Sequence, residues 1–257
     1  MFENSRFIIK TVENPFELED VLRLRYEVFI EEMCNRRGFL GIDVDRYDLI
    51  CDHLVVMDKG TEKVVGTYRL ISSAFSHSFY SETEFNIDNI KKLRGNLLEL
   101  GRACVNRDYR NGTTMALLWK GVSEYVKNVE AKYLFGCSSI ATTDEEEIAL
   151  LHSYFKEFFY SPEHLRVYPK RKVMVRNLKP FFKMDLLSSA DTARCEKLLP
   201  PLLKSYLKAG SVVCGEPALD AKFRCTDFLT LLDIDLLDKT FGKKYKVRNG
   251  QENSEGN

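Results

Sequence analysis

The chain has 257 residues, of which 44% are hydrophobic, and its 38 lysines and arginines balance 38 aspartates and glutamates. That length buries a substantial core, and a balanced charge gives no overall attraction for nucleic acid. No apolar run is long enough to span a membrane, the start lacks a signal-peptide pattern, and seven scattered cysteines without a Cys-x-x-Cys pair read as reduced core residues, so a cytoplasmic protein is expected.

Arg6 to Val12 reads as a strand, and Asn14 before Pro15 as an N-cap with proline at the first helical position. A helix is expected from there to about Met33, with Leu18, Leu22, Arg25 and Phe29 on one face. An arginine on that stripe either snorkels or holds an anion. Asp43, Asp45, Asp48 and Asp52 follow. The stretch departs from a helix-loop-helix calcium loop at Tyr47, so no metal is expected, and the acids suit a cationic substrate or a solvated turn. His53 to Met57 and Lys63 to Ser72 form a hairpin through Asp58-Lys-Gly60, which puts Arg69 in a core-like strand. Phe75, Phe79, Tyr80 and Phe85 then mark an irregular segment fit for a lid or a lipophilic pocket wall.

The stretch from Leu97 to Lys127 organises the rest. Leu97 to Val105 reads as a buried strand that carries two charges, Glu99 and Arg102. Strict alternation sets them on opposite faces, and a bulge near Gly101 would bring them together. Arg110, Asn111, Gly112, Thr113 and Thr114 form a loop into a helix with Met115, Leu118, Val122 and Val126 at helical spacing. A strand feeding a helix N-terminus in this way offers N–H groups and the positive dipole end to a phosphate.

Tyr133 to Ile140 reads as a further strand and Asp144 to Phe159 as a helix. Arg166, Lys170, Arg171, Lys172, Arg176, Lys179 and Lys183 come with no acid between Glu163 and Asp185, a local basic patch for an acidic protein, a phosphate or an anionic membrane surface. A short helix from Leu198 to Gly210 and strands at Ser211–Leu219 and Thr226–Asp233 complete the pattern. One domain is expected over 1–240, with a basic insertion at about 160–198 and a disordered tail over 241–257.

These motifs carry a resemblance. The order of strand, helix, hairpin, strand with a mid-strand acid, phosphate loop and helix resembles the GNAT-type N-acyltransferase fold. Arg25-Tyr-Glu-Val-Phe29, Asp43-Val-Asp45-Arg-Tyr-Asp48, Gly66-Thr-Tyr-Arg69-Leu and Leu98-Glu99-Leu-Gly-Arg102 are similar to acyl-homoserine-lactone synthases. Asp108 to Trp119, Tyr133 to Cys137 and Gly215-Glu-Pro-Ala-Leu-Asp220 are closer to bacterial ornithine-lipid N-acyltransferases. The resemblance implies an α/β fold, a central mixed sheet flanked by helices with a C-terminal elaboration. It also implies transfer of a 3-hydroxyacyl chain from acyl carrier protein to the α-amine of ornithine.

On that basis Glu99 and Arg102 are expected to be catalytic, Arg25, Phe29, Asp45, Asp48 and Arg69 to bind substrate, and Arg110 to Thr114 to hold the donor. No cofactor is bound permanently; the donor is the acyl-phosphopantetheine of the carrier protein, or acyl-CoA. Amine attack on a thioester needs a proton acceptor, for which Glu99 is the placed carboxylate, and an oxyanion site, expected at the backbone N–H groups from Cys104 to Asn106. Cys104 or Cys137 as a nucleophile lacks a base partner in the sequence. The expected partner is acyl carrier protein, docked through Arg166, Lys170, Arg171, Lys172 and Arg176, with peripheral contact at the inner membrane face as another use of the patch. The alternatives are a homoserine-lactone synthase-like enzyme, an acetyl-CoA-dependent acetyltransferase, and a non-catalytic binding module.

Overall fold

The computed structural model describes residues 2–176, 178 and 187–240. The expected tail, and Lys179, Phe181, Phe182 and Lys183 of the basic stretch, lie outside the described residues. In chain order the strands are β1 (Phe2–Glu3), β2 (Phe7–Thr11), β3 (Asp52–Asp58), β4 (Lys63–Ser72), β5 (Phe85–Asn86), β6 (Asn96–Val105), β7 (Ala131–Ile140), β8 (Tyr168–Pro169), β9 (Val212–Val213), β10 (Ala218–Asp220) and β11 (Cys225–Asp233). The helices are α1 (Pro15–Arg25), α2 (Asp88–Lys91), α3 (Thr113–Asn128), α4 (Glu145–Phe158), α5 (Ser189–Leu198), α6 (Pro201–Lys208) and α7 (Ile234–Thr240). The main sheet has nine strands in the order β1-β2-β3-β4-β6-β7-β11-β10, with β9 against β11; β5 and β8 pair separately. Its pairs are antiparallel except β6 with β7, which makes it mixed, as expected.

Local chemistry sets the entry to α1. Asn14 Oδ1 accepts from the amides of Phe16 (3.1 Å) and Glu17 (3.0 Å), and Pro15 opens the helix where its missing N–H costs nothing. The helix does not run on unchanged to Met33: from Tyr26 it continues as a π-helix through Met33. Such wide turns recur at functional sites, and here the segment lays Phe29 beside Arg102 and Glu32 against Arg110.

Helices cover both faces. Leu118, Val122 and Tyr125 of α3 pack with Leu54, Tyr68, Leu98 and Leu134 on one side. Val21 and Leu24 of α1, with Val28, pack on Val55, Val64 and Cys104 on the other. Gly66 allows α3 to come close, since a Cβ there would sit 2.6 Å from the Thr114 methyl. Phe79, Phe85, Ile87 and Ile90 are buried with Leu97 and Leu231, so most of the irregular aromatic segment is core beneath the sheet, not a lid; Phe75 alone of its four expected aromatics is exposed.

The central strand departs from ideal alternation, as the sequence suggested. The β4–β6 register shifts between Thr67 and Arg69, and Arg102 has φ +49°. Leu98 and Leu100 precede this bulge on the α3 face, and Ala103 and Val105 follow it on the same face. The extra residue therefore puts Arg102 on the face of Glu99. β6 and β7 pair only from Asn96–Glu99 to Ala131–Phe135, then part. The last point of contact is tight: a Cβ on Gly136 would lie 2.3 Å from the Leu100 carbonyl oxygen.

Candidate active site

Three arginines and three aspartates converge on the α1 face of this splayed seam. Arg25, fully buried, donates to Asp48 Oδ1 (2.6 Å) and Asp43 Oδ2 (2.9 Å). Arg69 donates to both oxygens of Asp45 at 2.8 Å, and Arg102 reaches Asp45 Oδ2 (3.3 Å) and Asp43 Oδ2 (3.4 Å). Arg25 thus holds an anion, an internal one. Asp45 caps the 3₁₀ turn Arg46–Leu49, accepting from the Tyr47 amide at 2.8 Å, while Asp48 Oδ2 accepts from the Asp45 amide at 2.8 Å. Burial alone would raise the Asp45 carboxyl, but Arg69 beside it holds it below its ordinary value.

This changes the expected use of Asp45 and Asp48 as captors of a cationic acceptor. Both carboxylates are already neutralised by arginines, and Asp48 is 3% exposed at its side chain, with no room for a further cation. Asp45, at 22%, is the more open of the two. His53, beside Cys51 (3.3 Å) and Asp48 (3.7 Å), is lowered to about 4 chiefly by burial and stays neutral at pH 7.

Glu99 lies where β6 and β7 begin to separate. It accepts from the amides of Tyr80 (2.6 Å) and Ser81 (2.7 Å) and from the Ser81 hydroxyl. Burial raises its pKa, and these three donors oppose the rise without cancelling it. The carboxylate is therefore held in one orientation and has raised basicity. The thiols nearby are poor nucleophiles, because burial pushes Cys104 up to about 12 and Cys137 well above its usual value.

A cavity of about 260 Å³ passes through the gap between the strands. On the α3 side its walls are apolar, with Tyr68, Leu134, Trp119, Leu202, Tyr206 and Leu232. The Tyr68 and Tyr206 hydroxyls meet at 2.5 Å there. Around the seam lie Phe29, Arg69, Glu99, Gly101, Arg102 and Gly136. On the far side Tyr80, Cys137, Phe223, Asp220 and Asp227 complete it. The structure thus brings Glu99, Arg102, Phe29 and Arg69 into one cavity and sets Arg25, Asp43 and Asp48 behind them.

The loop expected to hold the donor is shaped by its glycine and asparagine. Gly112 (φ +88°) stands at the N-cap of α3, and Asn111 Oδ1, not a threonine, accepts from the Thr113 amide at 3.0 Å. Arg110 is tied to the Val105 carbonyl (2.9 Å) and to Glu32 (2.8 Å). Thr114 is buried under β4. The Asn106 amide, expected at the oxyanion site, donates to Val65 at 2.9 Å and is spoken for. The strand edge freed by the splay runs from Leu100 to Val105 and so takes in Cys104 and Val105 of the expected segment.

A model of the acetyltransferase (GNAT) domain matches residues 24–120, the span from Arg25 to the first turns of α3. An L-ornithine N(alpha)-acyltransferase of Rhodobacter capsulatus is 31% identical, with 93% of this chain and 95% of that protein covered. The chain belongs to the L-ornithine N(alpha)-acyltransferase family. The family member from Rhizobium meliloti is 32% identical over 93% of this chain and 83% of its own length. The acyl-homoserine lactone synthases BjaI (19% identity, TM-score 0.53, 92% of this chain and 89% of that one) and LasI (11%, 0.52, 93% and 96%) have the same fold. The GNAT-like fold expected from the sequence is the fold observed. For this L-ornithine N(alpha)-acyltransferase family member, sequence reasoning named Tyr80 as a pocket wall, where it stands, and passed over Ser81, Glu84 and Asp227 at the site. Asp227 offered a signal, an acid within a run of apolar strand residues.

Proposed function

We propose that this chain transfers a fatty acyl group, 3-hydroxylated as in the expected donor, from the phosphopantetheine thioester of acyl carrier protein to the α-amine of ornithine. The observation that carries this reading is the cavity itself, which joins an apolar section, a buried carboxylate of raised basicity and a polar far end through the gap between β6 and β7. The acyl chain occupies the apolar section among Trp119, Leu202 and Tyr206. The pantetheine arm lies along the parted strands, its phosphate toward the N-terminal end of α3 at Gly112 to Thr114.

Glu99 takes the proton that the acceptor's ammonium must lose, directly or through water. The amine then attacks the thioester carbonyl, a C–N bond forms, the C–S bond breaks, and the thiol leaves with a proton. Arg102, with the rings of Tyr80 and Phe223 about 5 Å from its guanidinium carbon, offers its charge to the acceptor's carboxylate. Arg25 and Asp48 position the Asp45 turn, and Arg69 joins that turn to β4. No acyl-enzyme is needed. The exposed Lys170, Arg171, Lys172 and Arg176, with half-buried Arg166, give the acidic carrier protein a surface to meet. The protein works in the cytoplasm, and the amphiphilic product leaves at the inner membrane face.

The test is a purified reaction. With a 3-hydroxyacyl carrier-protein thioester, thiol release should depend on ornithine, and mass spectrometry should show an amide at its α-nitrogen. Release of thiol without ornithine, or a preference for acetyl-CoA, would overturn the reading.

A further inference from the structure

The far end of the cavity gathers three carboxyl groups with no ion-pair partner among the described residues. Asp227 projects from β11 between Ser139 of β7 and Ala218 of β10, and Asp220 ends β10 two residues beyond Ala218. Both line the cavity. Glu84 approaches from the loop beneath, its carboxyl against Asp227, with Asp220 and Tyr80 close by. Glu84 is 5% exposed, and its Oε2 has no hydrogen-bond partner among the described residues. Glu84 is held by the Asp227 carboxyl and by Tyr80, and the oxygen it leaves unbonded in so buried a place is costly unless something else occupies the site.

Protons offset part of the cost. Burial and then Asp227 push Glu84 up to about 9, and burial raises Asp227 as well. Glu84 and Asp227 hydrogen-bond each other, and Asp220 stands close enough to act on both. The nearest guanidinium, Arg102, is engaged by Asp43 and Asp45. Among the described residues, no lysine or arginine nitrogen comes within 4.0 Å of the three carboxyls. Asp220 gives one oxygen to the amides of Lys222 (2.7 Å) and Phe223 (3.1 Å). The rings of Tyr80 and Phe223 border the same space, with Arg102 already over both, Arg69 over Tyr80 and Lys222 over Phe223.

We propose that Asp220 and Asp227, backed by Glu84, form a subsite for the ammonium on the acceptor's side chain, so that this end of the cavity selects a diamino acid over a neutral one. The inference rests on the proposed N-acylation of ornithine and names the residues that choose the acceptor. Its geometry is consistent with Glu99 serving the reacting amine, because Glu99, Asp220 and Asp227 line one and the same cavity.

The experiment compares ornithine with norvaline, the same carbon chain without the terminal amine. The wild-type enzyme should acylate ornithine with much the higher kcat/KM. Asp220→Asn and Asp227→Asn should each raise KM for ornithine by about tenfold or more, the worth of a hydrogen bond to a charged group, with little change in kcat. Turnover of norvaline should not fall. A variant that merely misfolds loses both substrates alike, and in that event wild-type melting decides: ornithine should raise Tm and norvaline at equal concentration should not. Equal losses on both substrates by folded variants, or equal Tm shifts, would overturn the subsite. Wild type that acylates ornithine and norvaline equally would also overturn it while leaving acyl transfer intact. Failure to acylate either would instead reject the proposed function.

Discussion

On one face of the sheet, two groups of buried charge are built in opposite ways. Around Arg25, Arg69 and Arg102, three cations meet Asp43, Asp45 and Asp48 and the sum is zero. At Glu84, Asp220 and Asp227 acids gather without a cation in ion-pairing reach among the described residues. The first group is a strut between α1, the Asp45 turn and the central strands. The second makes sense with a ligand present. Burial is common to both, and charge balance distinguishes them, although Arg69 and Arg102 of the balanced group also line the cavity.

The comparison breaks most readily at Arg25. Arg25→Met leaves Asp43 and Asp48 short of a partner, and loss of one member of a buried pair costs about 3–5 kcal/mol. Urea unfolding should show a loss of that order; a change under about 1 kcal/mol would mean that the strut carries little of the fold. The next effect falls on rate. Glu99→Gln keeps the shape of the side chain and removes its basicity, so kcat should fall by about 100-fold or more with the melting curve retained. Near-normal turnover would remove Glu99 from the proton-accepting role and leave it as a cap for the Tyr80 turn.

A pH series sharpens the contrast in stability. Glu84 holds its proton up to about 9 in the fold against an ordinary value of 4.5. Between those values the folded state binds more protons than the unfolded one, so stability is lost as pH rises through the window. Glu84→Gln should flatten that decline in Tm from about pH 5 to about pH 9. Parallel curves for variant and wild type would show that Glu84 is ionised in the folded protein. The smallest effect belongs to exposed charge. Lys170, Arg171 and Lys172 changed together to Ser should lower kcat/KM for the carrier-bound donor a few-fold at low ionic strength, the loss fading at about 1 M salt, where the Debye length is about 3 Å. A short acyl-pantetheine donor should be unaffected; if it suffers equally, the segment serves the fold.

Local rules carried the sequence reading where the governing interactions are local. Asn14 with Pro15, the β3–β4 hairpin, the start of α4 at Asp144 and the β6–loop–α3 unit all follow from capping, turns or periodicity within a few residues. The bulge was also legible, because Glu99 and Arg102 needed a parity change to share a face. Who pairs with whom was not. The arginines find their aspartates across 18 to 59 positions of chain, a distance over which no spacing rule acts. Asp45 and Asp48 consequently looked available when they are already paired. The helix α5 was missed despite a readable sign, since Ser188 and Asp191 form its capping box.

The seam between β6 and β7 also divides the molecule mechanically. The sheet is continuous across its middle only over a short run of parallel rungs from Asn96 to Glu99, and beyond them the two halves of the sheet are open to each other like the leaves of a partly closed book. In the proposed reaction an extended donor would lie in that opening and supply contacts that the absent rungs do not. Substrate would then be a structural component for as long as it stayed, and release of product would return the sheet to its unbridged form. Because anything that binds the folded state alone stabilises it, the loaded enzyme should be the stiffer one, and the edges of the opening should be the first backbone to exchange its amide protons once the chain has gone.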